Sequence, residues 1–120
     1  MKYKYEIKEW TYDDETSILI IEVPEEIGLV MSVLFSDVQE GKDSAQWYFE
    51  VLDKVLNGES EYEEFTGNVC CLEIKKDYTK IVDILDEDDE VEPCIIETKE
   101  LREFIEIWSA EQEKFRNKNK

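Results

Sequence analysis

The chain has 120 residues, with 32 Asp and Glu against 14 Lys and Arg, no His, and a formal net charge of −18. That balance excludes a conventional phosphate-binding surface, which needs clustered cations, and an anionic membrane surface, which would repel it. Without histidine there is no Ser-His-Asp triad, no imidazole base and no His-containing zinc site.

High charge leaves a chain unfolded only when apolar content is low. Leu, Ile, Val and Phe supply 34 residues, above the roughly 20% below which charged chains stay disordered. A chain this long forms one domain that buries about two-thirds of its unfolded surface. The expected division is a single α+β domain over residues 1–116 and a frayed basic tail over 117–120. Met1-Lys2-Tyr3-Lys4-Tyr5 leads into no apolar signal core, and no apolar run approaches the ~18 residues of a membrane span. Cys70, Cys71 and Cys94 are odd in number and two are adjacent. They read as free thiols of a reducing cytoplasm rather than a disulfide framework. The expected location is cytoplasmic.

Along the chain, Tyr3, Tyr5 and Ile7 alternate with Lys2, Lys4, Glu6 and Lys8, the period of a half-buried strand. The nearly continuous apolar run over 17–23 predicts a more central strand, joined to the first through a polar hairpin containing Asp13 and Asp14. Pro24 then opens a helix favoured over 24–38, with Glu25 and Glu26 at its positive end, although Leu29, Met31, Val33 and Phe35 would also fit a strand. Its apolar positions are Ile27, Val30, Met31, Leu34 and Val38. Asp43-Ser44-Ala45-Gln46 is a capping-box-like start for the next helix. Ala45, Tyr48, Phe49, Leu52, Val55 and Leu56 form its apolar stripe, and Asn57-Gly58 ends it. Strands over 69–74 and 78–85 form a second hairpin, and Cys94-Ile95-Ile96 forms a short strand. Thr98 can cap a last helix whose core face holds Leu101, Phe104, Ile105 and Trp108. The order ββααβββα predicts an α+β fold: an antiparallel sheet of about five strands with helices packed on it.

Chemistry is hard to place on this chain. The run Asp86-Glu87-Asp88-Asp89-Glu90-Val91-Glu92 lacks the glycine and the spacing of an EF-hand loop. Successive carboxylates on an extended chain point to opposite sides, so the run reads as a solvated loop or interaction surface and no metal is expected. With 32 acids, pairs at glycosidase spacing arise by chance; Glu22, Glu73 and Asp83 are the candidate acids within strands. Adjacent Cys70 and Cys71 face opposite ways on a strand, Cys70 with Leu72 and Ile74, Cys71 with Val69. No glycine-rich phosphate loop or nucleophile elbow is present. The expectation is a non-enzymatic chain with no cofactor.

What remains is a surface for protein. A charge of −18 costs stability through self-repulsion, a cost that becomes useful if a partner carries the opposite field. Solubility alone is the competing explanation. Candidate contact carboxylates are Glu59, Glu61, Glu63 and Glu64 in one stretch and Asp86, Glu87, Asp88, Asp89, Glu90 and Glu92 in another. Candidate aromatic anchors are Trp10, Trp47 and Tyr62, with Tyr12 also breaking the first strand's alternation; covering the flank of a core is their alternative use.

Four stretches carry a family resemblance: Ile20-Ile21-Glu22-Val23-Pro24-Glu25-Glu26-Ile27, Glu50-Val51-Leu52-Asp53-Lys54-Val55-Leu56-Asn57-Gly58-Glu59, Gly67-Asn68-Val69-Cys70-Cys71-Leu72-Glu73-Ile74 and Cys94-Ile95-Ile96-Glu97-Thr98-Lys99-Glu100-Leu101. In size and texture the chain resembles the small bacterial immunity proteins of polymorphic-toxin and contact-dependent growth-inhibition systems. None of the four stretches is a chemical motif. The resemblance implies tight stoichiometric binding to one cognate toxin, commonly a nuclease with a basic active-site face. It brings no catalytic residues, no direct nucleic-acid contact and no membrane, and the expected state is a monomer or weak dimer. The alternative is an intracellular adaptor, regulator or nucleic-acid mimic that binds another basic protein.

Overall fold

The computed structural model describes residues 1–11, 13, 16–38, 42–88 and 90–118, with only the backbone of 42–44. Among them six strands and three α-helices follow in the order β1 (Glu6–Thr11), β2 (Ser17–Glu22), α1 (Leu29–Asp37), α2 (Lys42–Leu56), β3 (Glu63–Thr66), β4 (Cys70–Ile74), β5 (Tyr78–Asp83), β6 (Cys94–Glu97) and α3 (Thr98–Lys118). This is the α+β class and order expected, with one more strand. β3 was hidden in an acidic stretch, where Phe65 alone carries the inward position. The strands form two antiparallel sheets, β1-β2 and β3-β4-β5-β6.

The helix expected over 24–38 is split. Pro24 precedes a 3₁₀ turn over Glu25–Ile27, and α1 starts only after Gly28. The expected capping box at Asp43 lies where side chains are outside the described residues, and Tyr12, Asp14 and Asp89 lie outside them altogether. Gly58, at φ +80°, ends α2, and the N–H groups of Glu59 and Ser60 close onto the Lys54 carbonyl, the left-handed stop that glycine permits. Thr98 begins α3, yet its hydroxyl bonds the Lys75 carbonyl and the Thr79 hydroxyl. It ties the helix to the β4–β5 hairpin instead of capping its own turn.

β2 is not a central strand. Its one partner among the described residues is β1, and its apolar run divides between faces. Ile21 is buried in the core with Leu19 packed beside it, whereas Ile18 is 37% exposed opposite Trp10. The hairpin contacts α3 through β2, and Tyr3 and Tyr5 set their rings against Phe104.

The core lies on one side of the four-stranded sheet. β4 alternates buried Cys70, Leu72 and Ile74 with half-buried Cys71 and Glu73. Thr79 and Ile81 of β5, with Cys94 and Ile96 of β6, continue the buried layer. α1 and α3 contact this sheet, and α2 packs on α3. Burying a side chain such as Phe104 or Leu72 contributes about 1.5–3 kcal/mol, so this shared layer holds the elements together. Trp108 is 2% exposed and donates its indole N–H to the Val38 carbonyl at 3.0 Å, satisfying the polar atom its burial would strand. Arg102 joins α3 to α2 by donating to both Asp53 oxygens, at 2.6 and 3.3 Å, while it lies over the Phe49 ring.

Candidate functional site

The first acidic stretch leads into the sheet edge. Glu59 and Glu61 are exposed in the connection after α2, Tyr62 and Glu64 are exposed, and Glu63 is half-buried. Strand alternation turns Phe65 inward and Glu64 outward. Trp47 and Tyr48 of α2 pack edge-on against Phe65, with ring centroids 4.4 and 4.9 Å away. Trp47 therefore flanks the core with one edge while remaining 54% exposed. The Tyr62 hydroxyl donates to Glu64 at 2.9 Å, and that carboxylate pushes the phenol up to about 12. Asp37, at the end of α1, anchors the neighbouring turn. It accepts from the Tyr48 hydroxyl at 2.6 Å and the Asn68 N–H at 3.0 Å.

The second acidic stretch connects β5 to β6. Its first carboxylate is partly internal: Asp86 accepts the Val91 N–H at 2.7 Å, and Asp83 just before it accepts the Leu85 N–H at 2.9 Å. Glu87, Asp88, Glu90 and Glu92 are exposed. Antiparallel register puts this loop at the end of the sheet marked by Thr66, Cys71 and Val82. Residues 59–62 enter at the other end, where Glu63 faces Ile74. The two stretches are thus set diagonally, with β3 and β6 about 14 Å apart at the usual strand spacing of ~4.8 Å. They are not one cluster.

Trp10 belongs to neither stretch. It is 57% exposed on the β1-β2 sheet, opposite Ile18. Tyr62, Glu64 and Trp47 gather around β3, the loop carboxylates gather around β5–β6, and Trp10 stands apart. Sequence reasoning missed Tyr78, at 56% exposure, and Ile95, at 60%, both on the outward face of the larger sheet. The signal was present: once Thr79, Ile81 and Ile96 are inward, alternation sends Tyr78 and Ile95 outward.

The strand acids do not converge. Glu22 pairs with Lys8 at 3.3 Å, Glu73 lies opposite Lys80, and Asp83 holds a turn. Among the described residues no group of three His, Cys, Asp or Glu side chains could hold a metal ion. Burial pushes the thiols of Cys70 and Cys94 up to about 11, away from nucleophilic character. An open groove along α3, lined by Lys99, Arg102, Glu103, Glu106, Ile107 and Ala110, holds the Arg102–Glu106 ion pair rather than convergent acids. No helix among the described residues is long and apolar enough to cross a membrane. The arrangement sets carboxylates at two borders of a sheet, with apolar side chains between them.

No family model matches the chain, and no solved structure matches it at a significant level. A curated protein of Bacillus cereus called "Immunity protein" is 39% identical to it over 121 aligned residues, covering 100% of this chain and 97% of that protein. Similarity of that extent relates the two chains over their whole fold. The chain belongs to the immunity-protein family of this Bacillus relative.

Proposed function

We propose that this chain is a non-catalytic inhibitor that binds one cognate toxin domain stoichiometrically and so protects the cell that makes both. The toxin is a nuclease of a polymorphic-toxin or contact-dependent growth-inhibition system, and the inhibitor covers its basic, phosphate-binding face in the cytoplasm. The observation that carries this reading is the chain's −18 charge, displayed in part on exposed Glu59, Glu61, Glu64, Glu87, Asp88, Glu90 and Glu92. A nuclease must hold phosphates with Lys and Arg, and an acidic protein fits the same face. The partner-binding residues are Glu59, Glu61, Glu63 and Glu64 at one border and Glu87, Asp88, Asp89, Glu90 and Glu92 at the other. Asp86 supports the second border by closing its loop. An exposed aromatic supplies apolar anchoring beside them, with Trp10, Trp47 and Tyr62 as the candidates that the sequence offers. The inhibitor acts as a monomer or weak dimer without touching nucleic acid.

The test is co-expression with the product of the neighbouring gene. Rescue of growth arrest together with a 1:1 complex on purification supports the reading. Growth arrest that persists despite soluble expression of both chains overturns it, and a different basic protein recovered in stoichiometric amount would favour the adaptor reading.

A further inference from the structure

The outward face of the larger sheet is more apolar than solvation explains. In register, Glu64 faces Glu73, Glu73 faces Lys80, Lys80 faces Ile95, and Cys71 faces Val82. Ile84 extends this ladder by one residue, its N–H donating to the Val69 carbonyl at 2.9 Å, which places it in line with Val82 and Lys80. Tyr78, Ile84 and Ile95 are all large, exposed side chains, with Val82 and Cys71 half-buried beside them. Scattered apolar residues need no explanation, but several on one continuous sheet face mark a contact surface.

Charge decides what covers it. Glu64 and Glu73 lie on the face itself, with Lys80 opposite Glu73 and with Glu97, paired to Lys2, opposite Tyr78. The exposed Glu87, Asp88, Glu90 and Glu92 border one end, so carboxylates outnumber cations there. A second copy would bring these groups against their own kind, each chain carrying −18. The outward side of the β1-β2 hairpin is a weaker candidate, because Lys8 there already pairs with Glu6 and Glu22. The geometry points to the outward face of β3–β6 as the surface that the toxin covers. Tyr78, Ile84 and Ile95 are its apolar anchors, and the surrounding carboxylates meet Lys and Arg of the toxin. An apolar centre within a charged rim is the usual anatomy of a tight interface. This assignment rests on the toxin reading above and narrows it to one face, giving Trp10 and Trp47 no anchoring role.

Cys71 makes the face testable without mutation. It is the half-exposed thiol on this face, whereas Cys70 and Cys94 are buried. Maleimide should label Cys71 in the free protein, and at least tenfold more slowly in the complex with the neighbouring gene product. The Tyr78→Ala/Ile84→Ser/Ile95→Ser variant should keep the wild-type Tm and lose at least 100-fold in affinity. A Trp10→Ala/Trp47→Ala variant should bind within threefold of wild type. If the wild-type complex forms and protects cells while Cys71 labels as fast as before, the toxin reading stands and the face is wrong. The same follows if the triple variant binds unchanged. Protection of Cys71 that grows with the concentration of this chain alone assigns the face to a second copy and overturns the proposal. Wild-type protein that neither binds nor protects ends the toxin reading and this assignment with it.

Discussion

Replacing Gly67 with alanine probes the junction that fixes the edge strand. Gly67 lies between β3 and β4, and its φ is outside the left-handed region, so alanine brings no backbone penalty. The cost is steric. A Cβ there would land on the Asp37 carboxylate, 2.7 Å from Cγ and 2.9 Å from Oδ1, well inside the ~3.5 Å of a carbon contact. Asp37 cannot swing aside freely, because the Tyr48 hydroxyl and the Asn68 N–H both donate to it. Hydrogen bonds to a charged group contribute about 1.5–3 kcal/mol each. Losing the Tyr48 bond and weakening the Asn68 bond should therefore cost about 2–4 kcal/mol. For a domain of this size that lowers Tm by roughly 10 °C. The assay is urea unfolding of Gly67→Ala, Asp37→Ala and the double variant, with stability from linear extrapolation. Once the carboxylate is gone, the Gly67→Ala change should add less than about 0.5 kcal/mol, a coupling of at least ~1.5 kcal/mol. Equal costs in the two backgrounds would refute the steric account.

Three further outcomes follow from the same structure. Lys2 and Tyr3 donate to Glu97 at 2.7 and 2.5 Å, and chiefly the Lys2 bond holds its carboxyl down to about 2. A depressed carboxyl stabilises the fold fully above its unfolded value of roughly 4.3 and loses that contribution as pH falls toward 2. Glu97→Gln should thus melt roughly 2–5 °C lower than wild type at pH 7, with the gap closing near pH 2; a gap independent of pH rejects the linkage. Arg102→Ala should cost about 1–2 kcal/mol by removing the forked contact to Asp53 and the packing on Phe49, and Arg102→Lys should recover little of it. Full recovery by lysine in urea unfolding would show that charge alone matters there. Reversing Glu87, Asp88, Glu90 and Glu92 to Lys should slow association with the toxin at least tenfold at low salt and flatten its salt dependence, with little change in Tm. Stopped-flow rates unchanged across salt would remove that loop from the interface.

The sequence and the structure agree where period and cap speak locally. The alternation from Cys70 to Ile74, the apolar stripe of α2, the Gly58 stop and the core face of α3 were all legible, because each depends on neighbours within a few residues. β3 was not, since one Phe among four residues leaves no period, and it becomes a strand only by pairing with β4. The candidate carboxylates were legible as composition. Their arrangement was not, because strand register sends one group to each end of the sheet and the fold of the β5–β6 loop sets Asp86 on the Val91 N–H.

The chain by itself determined an acidic α+β protein, the absence of histidine chemistry and the resemblance to immunity proteins, since these are properties of residue content and local order. Tertiary structure alone decided that β1-β2 stands as a separate sheet, that Trp47 leans on Phe65, and that Tyr78, Ile84 and Ile95 share an open face. The reason is physical. Whether a side chain is buried or presented depends on which strands pair and which side of the sheet the helices cover, and those partners lie tens of residues away in the chain.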